Sequence, residues 1–241
     1  MKAEDAHLTR LTLRRDDTSV APLIDKLMPI DESESMGMHH KLLWSLYSGS
    51  LEKSETESAF LWRHMQGENR FFVLGPKPTN AAIYFEIESK PFNISFHKGQ
   101  KLAFELRVNC TVDRQLDPLK GREGRQRSDI VMDAIKQHEK TNGASQRADI
   151  RNHFAETALK AWMERQSSEN GFELSDLAVL SYRGLRHPRS EKKDFQRRMG
   201  VADLRGVLIV ADIDLFKAKL LRGFGRSKAF GCGLMLVRPV A

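Results

Sequence analysis

Cysteine is scarce in this chain: Cys110 and Cys232 are the only two in 241 residues, with no CxxC pair and no short-spaced Cys/His set. That excludes a disulfide-stapled framework and a structural zinc site, and leaves no metal expected. Long apolar runs are missing too: no stretch approaches the roughly 20 residues of a membrane span. The opening "MKAEDAHLTRLTLRR" also lacks the apolar core of a secretory signal. The expectation is a cytoplasmic protein with no membrane partner. Coiled-coil heptads and low-complexity tracts are absent as well.

What is present is positive charge. Thirty-nine Lys and Arg against thirty-two Asp and Glu give a formal charge of +7, compatible with a polyanionic partner but shared by many enzymes of neutral substrates. The length fits two compact domains of ordinary size. A change in texture, from alternating strands to a basic loop and long helices, places the division near 110, giving units 1–110 and 111–241.

In the first unit "HLTRLTLRR" alternates as a strand and "APLIDKLM" has helical periodicity. "PIDESES" reads as capping sequence ahead of a helix over "MGMHHKLLWSLYSG". "AFLWRHM" and "RFFVLG" read as a strand pair turned by "QGEN", with "IYFEIES" and "KLAFELRVN" as further strands. In the second, "DPLKGREGRQR" reads as a loop, "ADIRNHFAETALKAWMERQ" as the longest helix and "FELSDLAVLSYRG" as a strand. "GVLIVADIDLFKAKLL" then gives a strand and a helix with Ile213, Phe216 and Leu220 on one face.

The helix ends in "GFGRSKAFGCG", residues 223–233, before a last strand over 234–237. Mononucleotide and dinucleotide loops need strand, glycines, then helix. Here the order is reversed, so no nucleotide cofactor is expected. Two readings stay open. Backbone N–H groups at Gly223, Gly225 and Gly231 approach a phosphate closely, with Arg222, Arg226 and Lys228 supplying charge; or the glycines merely make a tight connection.

"RGLRHPRSEKKDFQRR", 183–198, holds seven Arg or Lys against two acids. Arg183, Arg186, Arg189, Lys192 and Lys193 in such a loop can track an RNA backbone, or can be plain solvated charge. Lys120, Arg122, Arg125 and Arg127 form a further basic cluster in the interdomain segment. Among the eight histidines, His39 shares a helix face with Leu43 and Leu46 and is expected to be partly buried. His40, one turn before Trp44, is expected near the surface. There, next to cationic loops, it is suited to proton transfer on an RNA ribose, since the 2′-hydroxyl supplies its own nucleophile.

The stretch "LLRGFGRSKAFGCGLMLVRP" resembles the C-terminal glycine-rich motif of the CasE family, the CRISPR repeat-processing endoribonucleases of the type I-E system. "LRGVLIVADIDLFKAKL" resembles the family's preceding strand and helix. "HKLLWSLY" is similar to its catalytic-histidine helix, and "KGQKLAFELRVN" to the strand ending in its Arg-x-Asn; "AWMERQSSENGFEL" agrees further. The resemblance implies an α+β fold of two tandem ferredoxin-like, RNA-recognition-like domains, each an antiparallel sheet with packed helices. It implies metal-independent cleavage of CRISPR precursor RNA at the 3′ base of the repeat hairpin, leaving 2′,3′-cyclic phosphate and 5′-hydroxyl ends. The other type I-E Cascade subunits are implied as partners, with the guide RNA retained.

By the same resemblance the catalytic histidine falls on His40. The family tyrosine three residues earlier is replaced by Gly37, which leaves Tyr47, Lys41 or another cation to assist, or His40 to carry most of the proton transfer. Asn109 is followed by Cys110 where the family commonly has proline, a local change in a turn. A non-catalytic hairpin-binding subunit of the same complex is the alternative, and a scaffold for acidic protein surfaces is a third reading.

Overall fold

A computed structural model describes residues 5–14, 31–47, 58–65, 67–80, 83–115, 119, 124–143, 147–186 and 198–240. The first sheet is built from β1 (His7–Leu13), β2 (Leu61–Met65), β3 (Arg70–Gly75) and β4 (Phe85–Pro91), in the order β2-β3-β1-β4. All its pairings are antiparallel, with Leu11 of β1 opposite Phe71 on one side and Ile87 on the other. Alternation sends Thr9, Leu11 and Leu13 to one face, where they meet Phe71, Val73 and Phe85. Helix α1 (Glu32–Trp44) covers this face with Leu42 and Leu43, followed by a short turn carrying Leu46 and Tyr47.

The second sheet holds β5 (Lys101–Val108), β8 (Phe172–Arg186), β9 (Arg198–Val210) and β10 (Met235–Pro239), in the order β10-β5-β9-β8. Because β5 belongs here, the chain passes between the sheets over 92–100, ahead of the division expected near 110. A hairpin of β6 (Thr111–Gln115) and β7 (Arg125–Asp129) follows, then α2 (Ile130–Asn142), α3 (Arg147–Glu169) and, later, α4 (Ile213–Arg222). Leu102, Phe104, Leu106 and Val108 of β5 point into a core shared with Leu159, Met163, Phe172 and Phe216. Each such side chain contributes about 1.5–3 kcal/mol by leaving water.

Local chemistry fixes the helix ends. Asp129 accepts from the N–H groups of Val131 and Met132 to start α2, and Asp212 accepts from Leu215 N–H to start α4. Several sequence expectations shift. The "ESES" segment lies inside α1, because Asp31 accepts the Glu34 N–H at 3.0 Å and begins the helix earlier. The last residues of the loop expected over 117–127, Arg125 to Arg127, lie in strand β7. Strand β8 runs on to Arg186 and β9 starts at Arg198, so both ends of the basic 183–198 segment are strand. The last strand covers 235–239. The expected helix around "APLIDKLM" lies outside the described residues.

Candidate nucleic-acid interface

His40 stands in the third turn of α1, half-exposed, and its ring is held by aromatic neighbours. Trp44 Nε1 donates to His40 Nε2 at 3.0 Å. His40, Trp44 and Tyr47 all lie on one ring, Phe60, at centroid distances of 5.9, 5.4 and 5.1 Å. An indole N–H only donates, so Nε2 is the ring nitrogen that offers Trp44 its lone pair. Lys41 is exposed beside it, whereas Tyr47 lies in the first core at 1% exposure and burial pushes its phenol pKa well up.

His39 faces the other way. It is 2% exposed, with ring centroids of His64 and Phe71 both 4.9 Å away. Burial, and secondarily the charge of His64, push its pKa down to about 3. The two adjacent histidines therefore differ in kind: His39 is a neutral core side chain and His40 reaches solvent.

The glycine segment is a joint between the two units. Phe224, Phe230, Cys232 and Leu234 are buried within it, as are Gly223 and Gly231. The Cα of Gly231 faces the ring of Trp62, where an added Cβ would lie 3.1 Å from ring carbons. Gly225 adopts φ +62°, and a Cβ there would fall 2.6 Å from the Asn109 carbonyl oxygen and 2.7 Å from Val108 Cγ2. Asn109 explains much of the loop's shape: its Nδ2 donates to Gly200 O at 2.6 Å and its Oδ1 accepts from Ser227 Oγ at 3.0 Å. Its backbone carbonyl accepts the Arg226 N–H at 3.1 Å, and the Arg107 carbonyl accepts the Gly233 N–H at 2.7 Å. The tight-connection reading of these glycines is therefore the structural one, while Arg222 and Arg226 project outward and Lys228 is half-buried.

The other predicted cations divide. Arg183 pairs with Glu32 at 2.9 Å and Asp203 at 3.1 Å, and Arg186 is exposed at the end of β8. Arg222 donates to Asn170 Oδ1 at 3.1 Å. Arg127 pairs with Asp113 at 2.7 Å in the β6–β7 hairpin, and the backbone of Arg125 lies in β7. Lys120, Arg122, Arg189, Lys192 and Lys193 lie outside the described residues.

Sequence reasoning missed an ion-pair network at the junction. Arg107 pairs with Glu32 of α1, and Arg63 of β2 lies 3.6 Å from Glu105 and 4.0 Å from Asp203. Both arginines are over 90% buried. Burial lowers the Arg63 pKa because its carboxylates stand off; the same burial acts on Arg107, yet Asp203 and Glu32 outweigh it and its pKa is raised. Arg63 Nη1 is buried without a hydrogen-bond partner among the described residues. Lys219 is a third missed cation: its Nζ donates to Gln166 at 2.7 Å, and burial together with Arg222 and Lys228 lowers its pKa to about 8. Its place on the buried face of α4, one residue before Leu220, was the available signal.

Between α1, β2 and the glycine turn lies a cleft of about 30 Å³, room for about one water and far too small for a nucleotide. Among the described residues no cluster of three or more His, Cys, Asp or Glu side chains is arranged to hold a metal. No described helix is long and apolar enough to cross a membrane.

Two antiparallel sheets, a glycine turn packed between them and an aromatic-braced histidine on the helix that contacts both define an α+β protein. Residues 6–239 match the model of the CRISPR associated protein family, and the chain belongs to that family. Its fold is similar to that of Thermus thermophilus Cse3 bound to an RNA representing a pre-cleavage complex, at 22% identity and TM-score 0.62, covering 98% of this chain and 100% of that one. A structure of CRISPR endoribonuclease Cse3 bound to 19 nt RNA gives 23% identity and TM-score 0.61, over 97% and 99% of the two chains. Cas6e from Escherichia coli K-12 gives 18% identity and TM-score 0.58, over 97% and 100%. No curated protein sequence matches the chain.

Proposed function

We propose that this protein is a metal-independent endoribonuclease that binds the hairpin of CRISPR repeat RNA, cuts the precursor at the 3′ base of the stem, and keeps the product within a Cascade complex. The observation that carries the reading is His40: a partly exposed imidazole, braced by Trp44 and Phe60, on the helix that contacts both units. Two tandem ferredoxin-like units are part of the same reading. Ranking the sheet strands of each unit in chain order gives 4-1-3-2 twice, as β4-β1-β3-β2 and β10-β5-β9-β8. Membership of the family and the fold shared with RNA-bound Cse3 add support.

In the reaction the ribose 2′-oxygen forms a bond to phosphorus as the bond to the 5′-oxygen breaks, leaving a 2′,3′-cyclic phosphate and a 5′-hydroxyl. His40 is the general acid or base of this step: as base it takes the 2′-hydroxyl proton on Nε2 in exchange for the Trp44 N–H, and the departing 5′-oxygen takes a proton from water. Lys41, the next residue and exposed, stabilises the added negative charge on the phosphate. Tyr47 acts through Phe60 on the pose of the His40 ring. Arg222, Arg226 and Lys228 hold the backbone along the glycine turn, with Arg186 and the basic residues of 189–193 and 120–125 reaching the stem.

The test is incubation with end-labelled repeat RNA in EDTA, with His40→Ala alongside. Cleavage to cyclic-phosphate ends that disappears in His40→Ala while hairpin affinity stays within a few-fold supports the reading; undiminished cleavage by that variant removes His40. Gly37 at the position of the family tyrosine favours one competing reading, a non-catalytic hairpin-binding subunit. Tight hairpin binding with no product under single-turnover conditions would establish that one instead.

A further inference from the structure

The first turns of α1 belong energetically to the second unit. Glu32 accepts from Arg107 Nη2 on β5 and from Arg183 Nη1 on β8 at 2.9 Å, while Arg183 Nη2 reaches Asp203 on β9 at 3.1 Å. One turn along the helix, Met36 packs with Met199, Val201, Phe230 and Cys232, all from the second sheet or the glycine turn. From His39 onward the helix packs on the first sheet, with His39 against Phe71 and then Leu42 and Leu43 in the first core. The helix is thus held to the second unit by the charge and apolar contacts of its first turns and to the first unit by its later turns, with His40 in the part that packs on the first unit. Eight residues separate Glu32 from His40, about 12 Å along the axis. A rigid helix tilted by a released first turn would carry the imidazole with it.

Removing the Glu32 carboxylate also leaves Arg107, 5% exposed, with Asp203 as its remaining carboxylate neighbour. A buried guanidinium deprived of its contact partner pulls away toward water or a new acceptor. Its strand neighbour Asn109 holds Ser227, so the disturbance reaches the glycine turn through the same strand. A surface ion pair would contribute little, but this one is partly buried, shared by two arginines, and placed in the first turn of the helix, where a carboxylate also complements the helix dipole.

We infer that Glu32 is a positioning residue: through Arg107 and Arg183 it latches the His40 helix to the second sheet and so sets where the imidazole meets RNA held on the other unit. This rests on the endoribonuclease reading, and the experiment separates the two. Glu32→Ala and the isosteric Glu32→Gln are compared with wild type in three measurements: single-turnover cleavage of repeat RNA at saturating protein, hairpin Kd, and amide hydrogen exchange across 36–44 without RNA. The expected result for Glu32→Ala is a cleavage rate at least tenfold lower, Kd within about threefold of wild type, and at least tenfold faster exchange in the first two turns of α1. Glu32→Gln, which keeps one acceptor oxygen, falls between. Wild-type cleavage and wild-type exchange in both variants overturn the latch, as does a loss of affinity equal to the loss of rate. If wild type itself neither binds nor cuts the hairpin, the endoribonuclease reading has failed, and the exchange measurement alone decides whether Glu32 holds the helix.

Discussion

His39 offers the sharpest test of the distinction between the two adjacent histidines. Its pKa in the folded protein is about 3 against an ordinary 6.5, because burial opposes the charged ring and His64 adds to the penalty. Between those two values the unfolded chain binds a proton that the native state excludes. Stability therefore falls as pH drops from about 6.5 toward 3, and this contribution is complete above 6.5. One proton corresponds to about 1.4 kcal/mol per pH unit, so at pH 4.5 the side chain has removed about 2–3 kcal/mol relative to pH 7. Carboxylates titrate in the same range, and comparison with His39→Leu at each pH subtracts them. Urea unfolding of both proteins at pH 7, 6, 5 and 4.5 gives a stability difference that should move by that amount in favour of the variant as pH falls. A difference that stays constant across the series would show that His39 takes up its proton while still folded, and would refute its assignment to the core.

Two further outcomes follow from the same geometry. Gly225→Ala must place an L side chain at φ +62° against the Asn109 carbonyl; the left-handed backbone costs about 1–2 kcal/mol and the crowding about 1–3 more. Denaturant unfolding should register a loss of about 2–5 kcal/mol, and one below about 1 kcal/mol would mean the turn is not the rigid joint described. Lys219, lowered from 10.5 to about 8, gives up its proton earlier in the folded than in the unfolded chain. Stability should consequently rise with pH between those values, and Lys219→Met should flatten that rise; identical slopes for both proteins would contradict the buried, crowded placement of the ammonium.

The strands of the first unit were legible because "HLTRLTL" alternates as a strand buried on one face does, and "RFFVLG" is a short apolar run behind the turn residues "QGEN". The His39/His40 distinction was legible for a similar reason, since a helix period separates adjacent residues by about 100°. What sequence could not supply was contact across the chain. Glu32 reads as a capping acid, and nothing local says that it meets Arg107 seventy-five residues later. Arg183 reads as one cation of a basic run that tracks RNA or is plainly solvated, and nothing local says that it pairs with Glu32 and Asp203 at the junction. The glycines of 223–233 suggest a phosphate cradle when read alone; their partners Leu61, Trp62 and Asn109, which make them a packing joint, come from distant strands. Likewise Lys101–Val108 announces itself as a strand, but its membership of the second sheet depends on β9 and β10, far downstream.

That last placement has a consequence for how the molecule assembles. Strand β5 is made early but finds its neighbours late: Leu106 pairs with Leu204 on one side and Met235 on the other. During synthesis the first sheet has all of its strands once β4 is made, whereas β5 and the arginine it carries meet their sheet neighbours only after more than half of the remaining chain. Glu32 has no Arg107 in place to grip until β9 and the glycine turn have settled, so the helix bearing His40 acquires its final orientation among the last events of folding. The histidine becomes fully positioned only when the whole chain is present and paired.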